Sequence, residues 1–250
     1  MEGENDGKGD NTAQYLIEFR FQSKKAKDYL KEMASKINRK FRVGRKRHIP
    51  HISLVGPIET NEENRLLSDF VGICSVTKVM KFTVNGFGTF DNKRVVFVDI
   101  KASHTLNDFR NNLVNGLKKY CKLQPHDLRA EKEGFGYHST LAMKLDQWDF
   151  EAIKQYINSK PKPEFKQIIM RVTLLKEGRI LRDYDFMQRK ALTRTEALDK
   201  AAVRHSKELL RRFMNGEYNP DIKATVPSTA EMNTPKNASF WDKIKSVFKI

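Results

Sequence analysis

A chain of 250 residues with 39% apolar and 31% charged residues can bury the core of one sizeable domain plus an appendage, which excludes a fibrous or wholly disordered protein. With 47 Lys and Arg against 31 Asp and Glu, the formal net charge of +16 makes the surface attractive to polyanions, nucleic acid first among them. No run of about 18 apolar residues occurs, which excludes a transmembrane helix. The only cysteines are Cys74 and Cys121, which excludes a disulfide framework and points to a reducing, cytoplasmic setting.

Residues 1–12 are polar and glycine-rich, with the character of neither a signal peptide nor a membrane span, and read as a disordered terminus. Tyr15 to Phe21 alternates apolar and polar residues as a strand does. From Ser23 to about Lys40, Ala26, Tyr29, Leu30, Met33 and Ile37 recur on one side of a helix. The basic run Arg42 to His48 leads into Pro50 to Pro57, an apolar stretch bounded by prolines and long enough for one buried strand. It carries His51-Ile52-Ser53-Leu54. A helical pattern from Asn61 to Val76 and a strand from Val79 to Phe87 follow.

The same order then recurs. Val95 to Ile100 reads as a strand, and Ser103 to Tyr120 as a helix with Leu106, Phe109, Leu113 and Leu117 in a stripe and Ser103 as its N-cap. The glycine-containing turn Gly134 to Tyr137 opens a strand to Leu145 that carries His138-Ser139-Thr140-Leu141. A helix from Asp146 to Asn158 and a strand from Gln167 to Leu175 complete the second copy. Strand, helix, histidine strand, helix, strand is thus written twice, in repeats of about 13–90 and 94–188 within a domain of 13–190.

Beyond it, 191–216 form a basic helix, with Leu198, Ala201, Ala202, Leu209 and Phe213 on one side and Lys200, Arg204, Lys207, Arg211 and Arg212 elsewhere. Residues 217–238, with Pro220, Pro227 and Pro235, read as a linker. Residues 239–250 form a short amphipathic helix with Phe240, Trp241, Ile244, Val247 and Phe248 on one face. So short a helix is marginal in water, and its apolar face calls for cover by the protein's own body, a partner protein or an anionic membrane surface.

A single His-x-Ser or His-x-Thr carries little information. On a strand, however, residues i and i+2 share a face, so each string presents an imidazole beside a hydroxyl. Two such pairs on one cleft could act on a phosphate, one imidazole taking a proton while the other gives one, because histidine titrates near neutrality. His104, His126 and His205 have no such neighbour and read as surface or capping residues.

With these motifs on duplicated strands, the chain resembles the two-histidine (2H) phosphoesterases, the 2′-5′ RNA ligase and cyclic phosphodiesterase enzymes. His51/Ser53 and His138/Thr140 match that family's paired motif position for position, and Arg171 to Leu181, running on to Tyr184-Asp185-Phe186, resembles its closing hairpin. The resemblance spans roughly residues 13 to 188. Ser139 departs from it, because the residue after the second histidine is usually apolar.

The resemblance implies an α+β, bilobal, pseudo-two-fold domain with two antiparallel sheets forming a central cleft and helices outside, here with a helical C-terminal extension. It implies a metal-independent, cofactor-free phosphoesterase on RNA or nucleotides, opening 2′,3′-cyclic phosphates to 2′-phosphates. His51 and His138 would be catalytic, with His138 as the base by analogy, and Ser53 and Thr140 would bind the phosphate. The alternatives are 2′-5′ ligation or cleavage, or a non-catalytic site for AMP or an RNA end. Arg45, Lys46, Arg47 and His48 would hold the RNA backbone at the cleft mouth, and Tyr137 would stack a base, while Phe135 belongs to the core.

Overall fold

The computed structural model describes residues 13–43 and 49–223. In chain order the first half comprises β1 (Gln14–Arg20), α1 (Lys24–Phe41), β2 (His51–Glu59), α2 (Glu63–Val76) and β3 (Lys81–Phe90). The second comprises β4 (Val95–Ala102), α3 (His104–Leu117), α4 (Pro125–Glu133), β5 (His138–Ala142), α5 (Gln147–Asn158), β6 (Glu164–Ile168), β7 (Arg171–Lys176) and β8 (Arg179–Asp185). The short β9 (Lys190–Leu192), α6 (Arg194–Leu198) and α7 (Lys200–Met214) follow.

Local sequence sets the helix starts. Ser23, Ser103 and Asp146 each accept a hydrogen bond from a backbone amide three residues on, at the N-termini of α1, α3 and α5. Pro125 opens α4, a helix the apolar pattern does not announce, at the position where its missing amide hydrogen costs nothing. The helix expected over 191–216 is two, because Asp199 has an extended backbone (ψ 129°) that ends α6 while its carboxylate caps the Ala202 amide of α7.

Two antiparallel sheets result, with strand orders β2-β1-β7-β8-β9 and β5-β4-β3-β6. The repeats do not build one sheet each. β3, from the first repeat, pairs with β4 and β6, and β7, from the second, pairs with β1. The strand expected over 167–175 is therefore two strands broken at Ile169 and Met170, where the chain passes from one sheet to the other. The Ile169 amide bonds to the Met80 carbonyl and the Met170 carbonyl accepts from Phe186. Phe19 of β1 and Phe21 just after it meet Phe82 of β3 at 5.2 and 5.6 Å between ring centroids, so one core spans both lobes.

α6 and α7 are docked by a buried cluster in which Arg171 bonds to Asp185, the Ala197 carbonyl and Ser206. The segment read as the start of a linker also docks, through Tyr218 to the Met187 carbonyl at 2.6 Å and Asp221 to the Val79 amide at 2.8 Å. The N-terminal residues 1–12, the basic run Arg45-Lys46-Arg47-His48, and residues 224–250 with the C-terminal amphipathic pattern lie outside the described residues. No described helix is long and apolar enough to cross a membrane.

Candidate active site

β2 and β5 are edge strands of their sheets and lie against one another. Each begins with its histidine and carries its hydroxyl two residues on. Both pairs are partly exposed, while Ile52 and Ser139 between them are fully buried, as strand alternation requires. The two ladders repeat each other. Arg20 pairs with His51 and Glu18 with Ser53; Asp99 pairs with His138 and Phe97 with Thr140. In both, the register then skips one leucine, Leu54 or Leu141, directly after the hydroxyl residue, a bulge that bends each strand at the same place.

The imidazoles are oriented alike. Nδ1 of His51 lies 2.8 Å from the Ile49 carbonyl oxygen, and Nδ1 of His138 lies 2.8 Å from that of Gly136. A carbonyl oxygen can only accept, so Nδ1 holds the hydrogen and Nε2 is the basic nitrogen of each neutral ring. Among the described residues Ser53 and Thr140 make no side-chain hydrogen bond, which leaves both hydroxyls available to a ligand.

The surroundings of the rings differ. Glu18, only 3% exposed, places Oε2 at 3.9 Å from Nε2 of His51, and its other oxygen accepts from Nε of Arg20 at 2.7 Å. His138 instead sits against Phe90 and Phe97, with ring centroids 4.9 and 5.0 Å away. Burial holds His138 below the ordinary histidine pKa, and a charge on His51 or Lys93 presses the same way, against the Gly136 carbonyl and Asp99. That His51 acts on His138 puts the two rings within electrostatic reach of one another.

Phe97 needs the glycine opposite it, since a Cβ at Gly88 would stand 2.4 Å from the ring.

Tyr137 does not offer a stacking surface. It is 3% exposed, its hydroxyl donates to the Leu106 carbonyl and Phe135 packs against it edge-on, because it lies one residue from His138 and so faces the core. Ser139 shares that face and leaves its hydroxyl buried without a protein partner. Ser139→Ala removes an unpaired polar group and is expected to raise stability by about 1 kcal/mol, read from the urea midpoint.

Sequence reasoning missed Glu18, Arg20, Phe90, Phe97 and Asp99. The one available signal was that Glu18 and Arg20 occupy the polar positions of a strand expected to adjoin a histidine strand. Among the described residues no cluster of three His, Cys, Asp or Glu stands close enough to hold a metal ion.

A sequence model of the 2′-5′ RNA ligase superfamily matches residues 22–180, well over half the chain and inclusive of both histidine strands. The chain belongs to this superfamily, the two-histidine phosphoesterases. Its matched segment starts after β1, so Glu18 and Arg20 lie outside it, as do α6 and α7. No curated protein matches this superfamily member. Several solved structures do. A crystal structure of a phosphoesterase is 15% identical, with 73% of this chain and 99% of that chain covered and a TM-score of 0.44. E. coli LigT complexed with 3′-AMP is 17% identical, with 73% and 98% covered and a TM-score of 0.41. Kluyveromyces marxianus Usb1 with uridine monophosphate is 12% identical, with 66% and 94% covered and a TM-score of 0.37.

Proposed function

We propose that the chain is a phosphoesterase acting on RNA or nucleotide ends, which opens ribose 2′,3′-cyclic phosphates to 2′-phosphates by paired histidine acid-base chemistry. The observation that carries this reading is the matched pair of imidazoles on adjoining edge strands, each with Nδ1 tied to a carbonyl and Nε2 left as the titrating nitrogen. His138, kept neutral by burial, takes a proton from water as the water oxygen bonds to phosphorus. The bond from phosphorus to the 3′ oxygen breaks, and His51 delivers a proton to that oxygen. The phosphate stays on the 2′ oxygen, and exchange with solvent returns both rings to their starting states.

Ser53 and Thr140 donate to the non-bridging oxygens as their charge grows, a contribution of about 3 kcal/mol per donor. None of these steps calls on a metal or cofactor. Since ligation is the reverse of cleavage with the same two proton carriers, a 2′-5′ linkage is the other substrate that this pair would make or break. The polyanionic partner fits the net charge of +16.

The test is a panel of RNA ends bearing 2′,3′-cyclic phosphate, 2′-5′ linkages or 3′-5′ linkages, assayed with a chelator present. Turnover of the cyclic end to a 2′-phosphate is the expected result. Turnover of the 2′-5′ linkage alone selects the ligase-type reading, and binding without turnover of any member overturns catalysis. The pH profile carries a further expectation. Because the pKa of His138 is depressed, the base is already neutral below about pH 6.5, and the acid limb of kcat/KM lies beneath that value.

A further inference from the structure

The two lobes share one register around their histidines and differ at two pairs of equivalent positions: Arg20 stands opposite His51 where Asp99 stands opposite His138, and Glu18 stands where Phe97 does. Glu18 and Phe97 each stand opposite the motif hydroxyl, each beside the skipped leucine of the histidine strand. Across the sheet on the other side Glu18 faces Thr173 of β7, and Phe97 faces Gly88 of β3. One position thus sets a carboxylate 3.9 Å from Nε2 of His51, and its counterpart sets a phenyl ring 5.0 Å from the imidazole of His138.

We infer that Glu18, clamped by Arg20, is a positioning residue that gives His51 the proton-donating role, while Phe97 at the equivalent place leaves His138 the accepting one. This rests on the two-histidine reaction proposed above. A symmetric pair of imidazoles has no reason to divide acid from base; a buried carboxylate 3.9 Å from one ring and a phenyl ring packed on the other supply the reason, since Asp99 opposite His138 does less to favour a charge there than burial does to oppose it.

Placing a carboxylate beside a site for phosphate would repel the substrate if it stood alone. Arg20 prevents this, since it binds Oε1 of Glu18 and stands directly opposite His51, so the pair adds no net charge. Oε2 remains turned to the ring.

The other groups that act here are few. His51 faces Glu18 and Arg20 on β1 and His138 on β5. Beyond Thr173, Asp183 of β8 accepts from its hydroxyl, feels the charges of Arg20 and Arg171, and has its carboxyl pushed up to about 6 by burial. His138 faces Lys93, Asp99 and His51.

The experiment uses the full chain and needs no substrate for its first reading. Imidazole proton resonances are followed by NMR through a pH titration in the wild type, Glu18→Gln, Glu18→Asp and Arg20→Gln, with the His51 signal assigned by its loss in His51→Gln. Glu18→Gln keeps the shape and the acceptor for Arg20 but loses the charge. The His51 midpoint is expected to fall by about one pH unit in this variant and to recover in Glu18→Asp, whereas Arg20→Gln, at a half-exposed site, raises it.

The alkaline limb of kcat on the cyclic substrate should move with the His51 midpoint, because that limb reports loss of the proton donor, while KM changes little in Glu18→Gln. A His51 midpoint unmoved by both Glu18→Gln and Arg20→Gln overturns the inference. If the midpoint shifts but the chain turns over no phosphodiester, the proposed reaction has failed and the coupling between Glu18 and His51 stands. If the chain is active and the acid limb moves instead, the roles of the two histidines are reversed and the inference is wrong.

Discussion

Changing His51 or His138 to alanine is expected to lower kcat on a 2′,3′-cyclic phosphate end by about 10²- to 10⁴-fold for each, the usual loss when a positioned acid or base is removed. The double variant should be little worse than either single one, because the two rings serve one concerted displacement and removing one already disables the other. His51→Ala should cost little stability, and His138→Ala more, because the His138 ring packs against Phe90 and Phe97. The His51 side chain is 39% exposed, and each ring makes one hydrogen bond to a carbonyl that water can replace. Steady-state kinetics together with urea denaturation separates loss of chemistry from loss of fold. Retention of wild-type turnover by either variant would remove the two-histidine mechanism.

Asp127→Ala is expected to cost about 3–5 kcal/mol, because it strands a charge in the core. Arg110 of α3 and Asp127 of α4 are each 1% exposed and meet at 2.6 Å, and Arg110 also donates to the Leu54 carbonyl at 2.9 Å. Asp127 in turn accepts from the Gly56 amide at 3.0 Å. The guanidinium lies 3.7 Å from the centroid of the Phe135 ring, which covers its remaining face. Both ends of the pair therefore grip β2 just beyond Ser53, one at the bulged Leu54 and one at Gly56, two residues on.

Replacing both partners, as Arg110→Met with Asp127→Leu, should cost less than Asp127→Ala alone, since no buried charge is then left unpaired. Urea unfolding read by fluorescence or circular dichroism checks both figures. The single variant should also lose activity below full unfolding, because β2 carries His51. Equal stability of wild type and Asp127→Ala would mean the pair is replaceable by water and does not hold the strand.

The sequence by itself determined the local layer of this protein. The His-x-Ser and His-x-Thr spacing, with its period of two, put imidazole and hydroxyl on one face, and Ile52 and Ser139 are buried on the other. Ser103 sits where a helix must begin, and its hydroxyl caps α3. The hairpin that the family resemblance places at Arg171 to Leu181 turns at Glu177 and Gly178, both residues adopting the positive φ values, 48° and 72°, that a tight hairpin asks for. Each of these follows from a few consecutive residues, whose sterics and hydrogen bonds do not depend on the rest of the chain.

Tertiary structure decided which distant segments meet. Nothing in the period of β3 or β7 says that each leaves its own repeat to pair with the opening strand of the other, since an apolar strand face fits many partners and the choice is made by packing. Glu18 reads as an ordinary solvent-facing residue until β2 and β7 close on either side and bury it beside His51. Arg110 and Asp127 look like polar surface positions until α3 and α4 press them onto β2. Tyr137 looked available to a base, and the alternation that exposes His138 turns it inward. The chemistry-bearing residues were local and legible, while the environments that tune them were assembled across long stretches of chain, because burial and charge pairing are properties of neighbours in space.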